Sequence, residues 1–362
     1  MGIIKQNRAN NILTSGKLDA TDGLNNNIPA TNIANASLSN VTSYPSTAGV
    51  AFTKVASDPP SPNEGQIWFN TTSEALKQYS LLVGSWSSGG TMNTARSELA
   101  GAGIKSSAIA IAGSTGGPSA SAETYNGSSW TTVGSLNTAR RLLGASGTSN
   151  SSALAFGGYT TVNVTVTELW DGSAWTEVND LNSARRYVSG IIQGTTSATL
   201  TAGGRNPGGA AMVETESWNG TSWTEVNDLN TARFGVMATG TQTAALAAGG
   251  DGGLTNTESW NGTSWTEVND INSTRYGGGR SGSQTDALIF GGNGPATQSA
   301  ATESWNGSSW TEVNDIATAT GEVGSGGSSS SSAIIFGGYT GSNTAATEEW
   351  TQGLSVQTIT AS

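Results

Sequence analysis

From about residue 84 onward the chain alternates short apolar runs with polar turns, and no stretch holds a helical period or reaches the length of a membrane span. One unit sets out the pattern. After Thr231-Ala232-Arg233 come a small-residue run (FGVMAT), a polar turn over 240–243, an apolar run over 244–250 that closes on Gly249-Gly250, and a loop. A third run ends at Glu258-Ser259-Trp260, a tight turn falls on Asn261-Gly262, and a fourth run goes from Trp265 to Val268 before NDINSTR leads onward. Asn-Gly between two short runs predicts a hairpin, because both residues tolerate the positive φ of a type I′ turn. The runs are rich in Thr, Val and aromatic residues and are cut repeatedly by glycine, so they are predicted as strands.

This unit recurs. Its first aromatic stands at Tyr125, Trp170, Trp218, Trp260, Trp305 and Trp350, at spacings of 45, 48, 42, 45 and 45 residues. The fourth-run tryptophans are Trp86, Trp130, Trp175, Trp223, Trp265 and Trp310. Four antiparallel strands per repeat of this length make one blade of a β-propeller. The two aromatic series are offset by one, so the chain starts on a fourth strand near Trp86 and ends on a third near Trp350. Joining those two strands removes the open sheet edge. The alternating tail over 354–359 competes for the same role, but Trp86 is in frame and is the expected closing strand.

Gly-Gly doublets stand at Gly157/Gly158, Gly203/Gly204, Gly249/Gly250, Gly291/Gly292 and Gly337/Gly338, with Gly113-Ser114 in the first repeat. A leading arginine opens five repeats (Arg96, Arg140, Arg185, Arg233, Arg275), and Thr320 replaces it in the sixth. The doublet, the two spaced aromatics and the leading arginine together resemble the kelch motif over about residues 84–350. The resemblance implies an all-β, six-bladed kelch-like β-propeller. Glutamate precedes each first aromatic by two residues: Glu123, Glu168, Glu216, Glu258, Glu303 and Glu348. These acids are expected to form structural ion pairs with the leading arginines, leaving Glu348 short of a partner opposite Thr320. Glu177, Glu225, Glu267 and Glu312, with Asp180, Asp228, Asp270 and Asp315, read as a solvated rim.

Composition narrows the chemistry. The chain of 362 residues has 50 glycines, 11% charged residues, no cysteine and no histidine. That removes disulfides, thiol nucleophiles, Cys/His zinc sites and histidine-based catalysis. Galactose oxidase shares the kelch architecture, but its copper site needs His and a Cys-crosslinked Tyr, both missing here. A sialidase-like hydrolase would want clustered arginines, yet Arg141, Arg186, Tyr187 and Tyr276 are spaced as blade geometry requires. The expectation is therefore no enzyme activity, no cofactor and no metal. Net charge is −11; the first eighty residues balance five basic against five acidic groups, so the excess lies in the repeats. An acidic surface repels phosphate backbones, which argues against nucleic-acid binding. The opening residues have no secretory h-region, and membrane insertion is not expected.

Residues 1–57 lack tryptophan, are rich in Asn, Ser, Ala and Thr, and carry too few apolar residues for a core of their own. They resemble attachment segments of bacteriophage fibres, which gain order by intertwining as trimers. Residues 58–83, with Pro59-Pro60-Ser61-Pro62, Gly65, Ile67-Trp68, Asn70-Thr71-Thr72 and Leu76-Lys77, resemble a hairpin connector of phage virion proteins. The expected organisation is thus an attachment and oligomerisation segment (1–57), a Pro-bounded hairpin connector (58–83) and a propeller (84–362). The implied location is the virion, in the tail or a fibre, after assembly in the host cytoplasm. The implied partners are other virion proteins, contacted through residues 1–57, and further copies of the chain.

The Asn-Gly turns are nearly identical in every repeat, whereas the loops after the doublets differ in length and content. Variation confined to one loop set on a uniform scaffold marks a recognition face. Candidate ligand-binding residues are Tyr159, Arg205, Asn206, Asp251, Gln298 and Tyr339, with Tyr187, Phe234 and Tyr276 at the inner rim. Aromatic, amide and charged groups suit sugar faces and hydroxyls, so the expected ligand is a host-surface glycan. The leading functional expectation is a virion fibre or tail-associated protein that presents the propeller to the host. The alternatives are a non-adhesive virion component, such as a capsid decoration or neck fibre, and a secreted bacterial kelch lectin.

Overall fold

The computed structural model describes residues 53–359, and all regular structure among them is β: 28 strands in seven four-stranded sheets. The chain divides into two compact units, Val83–Gln352 and Met1–Leu82 with Gly353–Ser362. The larger unit is a β-propeller of repeated antiparallel sheets.

A single sheet shows how the sequence builds it. Met237–Thr241, Ala244–Ala248, Thr257–Trp260 and Trp265–Val268 pair in chain order, and Trp260 faces Trp265 across the Asn-Gly turn. The second strand is buried on both faces, because each sheet packs between two others; hence its unbroken apolar run. The first strands of the six sheets, Ala100–Ile104, Gly144–Ser149, Ser189–Gly190, Met237–Thr241, Gly279–Gly282 and Gly324–Ser329, contact one another in a closed cycle. Most of their side chains are small because the backbones crowd: a Cβ on Gly101 would collide with the backbone of Ser325. Arg280 is the charged exception. Its guanidinium bridges the cycle, donating from Nε to Ala238 O (3.1 Å) and from Nη2 to Gly190 O (3.0 Å), and burial brings its pKa down to about 10.

Neighbouring sheets are tied by the doublets. The second glycine donates its N–H to the carbonyl of the next leading residue: Gly158 to Arg185, Gly204 to Arg233, Gly250 to Arg275, Gly292 to Thr320 and, closing the circuit, Gly338 to Arg96, all at 2.8 to 3.1 Å. Both doublet glycines take positive φ, as in Gly157 (60°) and Gly158 (109°). In the first repeat Ala112 (56°) and Gly113 (108°) adopt these conformations, so the sequence equivalence of Gly113-Ser114 is shifted by one residue. The last sheet joins both ends of the unit: Ser85–Ser88 pairs with Thr347–Thr351, and Trp86 lies opposite Trp350.

Five buried ion pairs hold the leading arginines: Arg96–Glu123, Arg140–Glu168, Arg185–Glu216 (2.6 Å), Arg233–Glu258 (3.1 Å) and Arg275–Glu303. Each ties the crossing that leads into a sheet to the third strand of that sheet. The other carboxylate oxygen binds the backbone N–H at the start of the same crossing, as Glu168 Oε2 does with Asn137 N (2.7 Å). Glu348, expected to be short of a partner opposite Thr320, forms no ion pair among the described residues, and its Oε2 keeps the backbone bond of the series, accepting the Ala317 N–H at 2.8 Å. The rim aspartates are not merely solvated either: Asp180, Asp228, Asp270 and Asp315 each accept the N–H of the threonine that opens the third strand.

In the smaller unit, Ile67–Asn70 and Ala75–Leu81 form the expected hairpin, but the sheet is larger. Thr53–Val55 adds in parallel on one side and Leu354–Thr358 antiparallel on the other. The C-terminal tail therefore belongs to this unit, and the propeller ends at Gln352 rather than 362. Buried Trp68 and Asn70 both donate to Asp58 Oδ1, and these hydrogen bonds hold the Asp58 carboxyl below the usual range. The segment expected to oligomerise, residues 1–57, lies outside the described residues up to 52.

Candidate functional site

The doublet loops and the crossings between sheets meet at one end of the propeller. Backbone bridges join them: Ser97 to Ser114, Arg141 to Tyr159, Arg186 to Arg205, Tyr276 to Asn293 and Gly321 to Tyr339. Beside each bridge, two residues after the leading position, the chain turns left-handed at Glu98, Leu142, Tyr187, Gly235, Gly277 and Glu322, with φ between 51° and 67°. These six residues form a closed ring of hydrogen bonds. Leu142 N donates to Glu98 O, Tyr187 N to Leu142 O, Gly235 N to Tyr187 O, Gly277 N to Gly235 O, Glu322 N to Gly277 O and Glu98 N to Glu322 O, all at 2.8 or 2.9 Å. Holding a non-glycine residue in this conformation costs about 1–2 kcal/mol. The ring offsets that cost by satisfying six backbone donors and acceptors, so only side chains are left to face a ligand.

Those side chains form three connected groups. Tyr187, Phe234 and Tyr276 pack as an aromatic cluster with centroids 5.1 to 6.2 Å apart, and Arg205 lies over Phe234 at 5.1 Å. Tyr159 carries two guanidinium groups, Arg141 at 5.3 Å and Arg186 at 5.0 Å. Arg186 also donates to Asn163 Oδ1 (2.9 Å), and among the described residues neither Arg186 nor Arg205 forms an ion pair. The third group lines a cleft of about 400 Å³ with Glu98, Glu322, Asn293, Gln298, Tyr339 and Asn343 on its walls. Tyr187 Oη reaches Glu322 Oε1 at 3.4 Å, and Arg141 Nη1 reaches Glu98 Oε2 at 2.5 Å, linking the cleft to the other two groups.

Of the two carboxyl groups, Glu322 is the more strongly affected by burial. Burial first, and then the neighbouring Glu98, push the Glu322 pKa up to about 7. Glu98 instead has the Arg141 guanidinium beside it. Burial and the nearby Glu322 raise both Tyr187 and Tyr276, so their phenols remain donors at any ordinary pH. The site thus offers a carboxyl that titrates near neutrality, two phenols as donors, amides at Asn293 and Gln298, and cations at Arg186 and Arg205. A carboxyl titrating near neutrality can also deliver a proton, a capacity that the lack of histidine does not remove.

Of the nine residues selected from sequence, Tyr159, Tyr187, Arg205, Phe234, Tyr276, Gln298 and Tyr339 fall in these groups. Asn206 does not present its amide freely, because Oδ1 accepts Ala210 N (3.0 Å) and closes its own loop. Asp251 bonds through its backbone to Phe234 O, and its carboxylate acts on Tyr276 only through charge. Sequence reasoning missed Glu98, Glu322 and Asn293, and it set aside Arg141 and Arg186, which the structure brings together on Tyr159. The signal available was position, since Glu98 and Glu322 follow the leading position by two in their repeats.

No family model matches the chain, and no curated protein matches it. Among solved structures it is similar to that titled "Structure of YjhT", a kelch-like propeller, with a TM-score of 0.60 at 12% identity, covering 74% of this chain and 99% of that one. At that identity the likeness speaks for the fold alone.

Proposed function

With the propeller as premise, we propose that this chain is a bacteriophage virion fibre or tail-associated protein whose six-bladed kelch-like propeller binds a host-surface glycan. The six sheets of the larger unit and the closed cycle of their first strands support the blade number. One observation carries the binding assignment. On a scaffold whose opposite turns repeat almost unchanged, one end gathers the Tyr187/Phe234/Tyr276 cluster, the Tyr159 platform with its guanidinium groups and the 400 Å³ carboxyl-amide cleft. Aromatic faces stack on sugar rings, while protonated and ionised oxygens and amides take hydroxyls. Single sites of this kind bind weakly, and several copies on one particle raise the effective concentration without any new contact. The attachment role of residues 1–57, a trimeric state and a virion location belong to the same proposal and rest on the phage-like segments.

The test uses the full-length protein on immobilised bacterial surface polysaccharides, together with blocking of phage adsorption. Tyr187→Ala and Arg186→Ala should each weaken binding tenfold or more, whereas Thr263→Ala at an opposite turn should leave it unchanged. Equal binding by all three variants would remove the loop face from the interaction. Absence of the protein from purified virions would remove the phage assignment while leaving the binding face standing.

A further inference from the structure

Five leading arginines sit in one kind of cradle. Arg140 meets the Glu168 carboxylate, Thr138 O and Ala155 O. Arg185 meets Glu216, Ser183 O, Gly203 O and Glu214 O, and Arg233 meets Glu258, Ala247 O, Gly249 O and Asn256 O. Arg96 meets Glu123 and Ala110 O, and Arg275 meets the Glu303 carboxylate, so each leading arginine faces a carboxylate and four of the five also donate to backbone carbonyls. In the last sheet the arginine is replaced by Thr320, whose short side chain donates to Thr318 O (2.7 Å). A cavity of about 110 Å³ takes up the remaining space. Its walls include Thr318, Ile335, Gly337, Ala346 and Glu348, the counterparts of residues whose oxygens accept from Arg140, Arg185 or Arg233. Glu348 keeps the fixed half of its role through Oε2 and Ala317 N. Its Oε1, the counterpart of the oxygen that faces the guanidinium in all five other sheets, receives no hydrogen bond among the described residues.

We propose that this cavity binds a guanidinium group. A planar cation with five or six N–H donors matches a carboxylate with several carbonyls around it, the acceptor set that holds arginines in the other sheets, whereas a point cation such as ammonium reaches fewer of them. The volume is several times what one water needs. The counter-charge that Arg140 or Arg233 supplies covalently elsewhere is supplied here by a ligand, and Thr340 and Thr344 complete the wall on the loop side. The source is either the free ion or the side chain of an arginine in another molecule. The cavity shares no lining residue with the carboxyl-amide cleft, and the proposal does not depend on the glycan reading.

The experiment follows the thermal midpoint of the full chain, with calorimetric titration for stoichiometry, against millimolar guanidinium chloride, a blocked arginine (N-acetyl-arginine methylamide), urea and sodium chloride. Guanidinium is expected to raise the midpoint to a plateau with one ion bound, while urea, equal in shape but neutral, and sodium chloride leave it unmoved. A plateau with the blocked arginine assigns the site to a side chain; a response to the free ion alone assigns it to a small cation. Thr320→Arg should occupy the cavity from within and abolish the response, and Glu348→Gln should abolish it by removing the charge. No plateau in the wild-type protein, or a plateau that persists in either variant, overturns the proposal.

Discussion

Trp223 Nε1 donates to Thr167 Oγ1 at 3.1 Å, joining the fourth strand of one sheet to the start of the third strand in the sheet before it. The same bond recurs from Trp130 to Thr347, Trp265 to Thr215, Trp310 to Thr257 and Trp86 to Thr302. Where the first repeat has Ala122, Trp175 instead donates to Gly134 O at 3.0 Å. Every fourth-strand indole is thus satisfied across a sheet boundary, and the threonine hydroxyl is the usual means.

Thr167→Val keeps the shape and removes the acceptor, which leaves a buried indole N–H unpaired. The expected cost is about 1–3 kcal/mol. For a unit of this size each kcal/mol lowers the midpoint by about 2–4 °C. Thr167→Ser should restore most of the loss. Differential scanning calorimetry of the three proteins checks this, and equal midpoints for wild type and Thr167→Val would deny the bond an energetic role.

The buried ion pairs make a sharper claim about asymmetry. Glu258→Leu leaves the Arg233 guanidinium without its counter-charge and should cost about 3–5 kcal/mol, whereas Arg233→Leu/Glu258→Leu should cost less than the sum of the two single variants, because two desolvated charges disappear together even though the carbonyls of Gly249, Asn256 and Ala247 lose their donor. Denaturant titrations in a double-mutant cycle measure the coupling. Additive losses would show that the pair acts as two independent groups.

Glu322 makes stability depend on pH. Its native pKa of about 7 lies above the ordinary value of 4.5, so the folded state holds the proton more tightly than the unfolded chain. The contribution is therefore complete below about pH 4.5 and is lost as pH rises through about 7. Each unit of displacement is worth about 1.4 kcal/mol, which puts the loss on the order of 3 kcal/mol. The groups facing this carboxyl are Glu98, Tyr187 and Asn293, with Arg141 behind Glu98. Glu322→Gln should flatten the profile between pH 5 and 8 (about the window set by the two values) in melts taken along the series. An unchanged slope would place the titration elsewhere.

The hairpin turns allow a charge test. Asn261 Oδ1 accepts from Thr263 N and Ser264 N at 2.9 Å, and Asp171 Oδ1 accepts from Ser173 N and Ala174 N at 2.8 Å. Because the oxygen does the work in both, Asn261→Asp should stay within about 0.5 kcal/mol of wild type, while Asn261→Ala should lose about 1 kcal/mol. Urea midpoints separate the two, and equal losses would mean that the amide nitrogen matters.

Much of this architecture was legible because it repeats. The tryptophan pairs, doublets and Asn-Gly turns recur with the same chemistry in register. Asn93, Asn137, Asn182, Asn230 and Asn272 also recur, three residues before each leading arginine, and bind the same glutamates; that signal was present and went unread. The ring residues were not legible in this way. Glu98, Leu142, Tyr187, Gly235, Gly277 and Glu322 share a backbone conformation and no side-chain property, so composition cannot align them. Nor does alternation tell a tail strand such as Leu354–Thr358 from a fourth blade strand: the partner, here Ala75–Leu81, decides.

The pairing of Trp86 with Trp350 sets an order for synthesis. Ser85–Ser88 leaves the ribosome before any other strand of the larger unit, and Thr347–Thr351 leaves last. For the whole time that the intervening sheets are translated, the first strand has no mate in its own sheet. A nascent chain stalled anywhere short of Thr351 therefore carries an unpaired sticky edge, and completion of the last sheet turns an aggregation-prone intermediate into a closed particle.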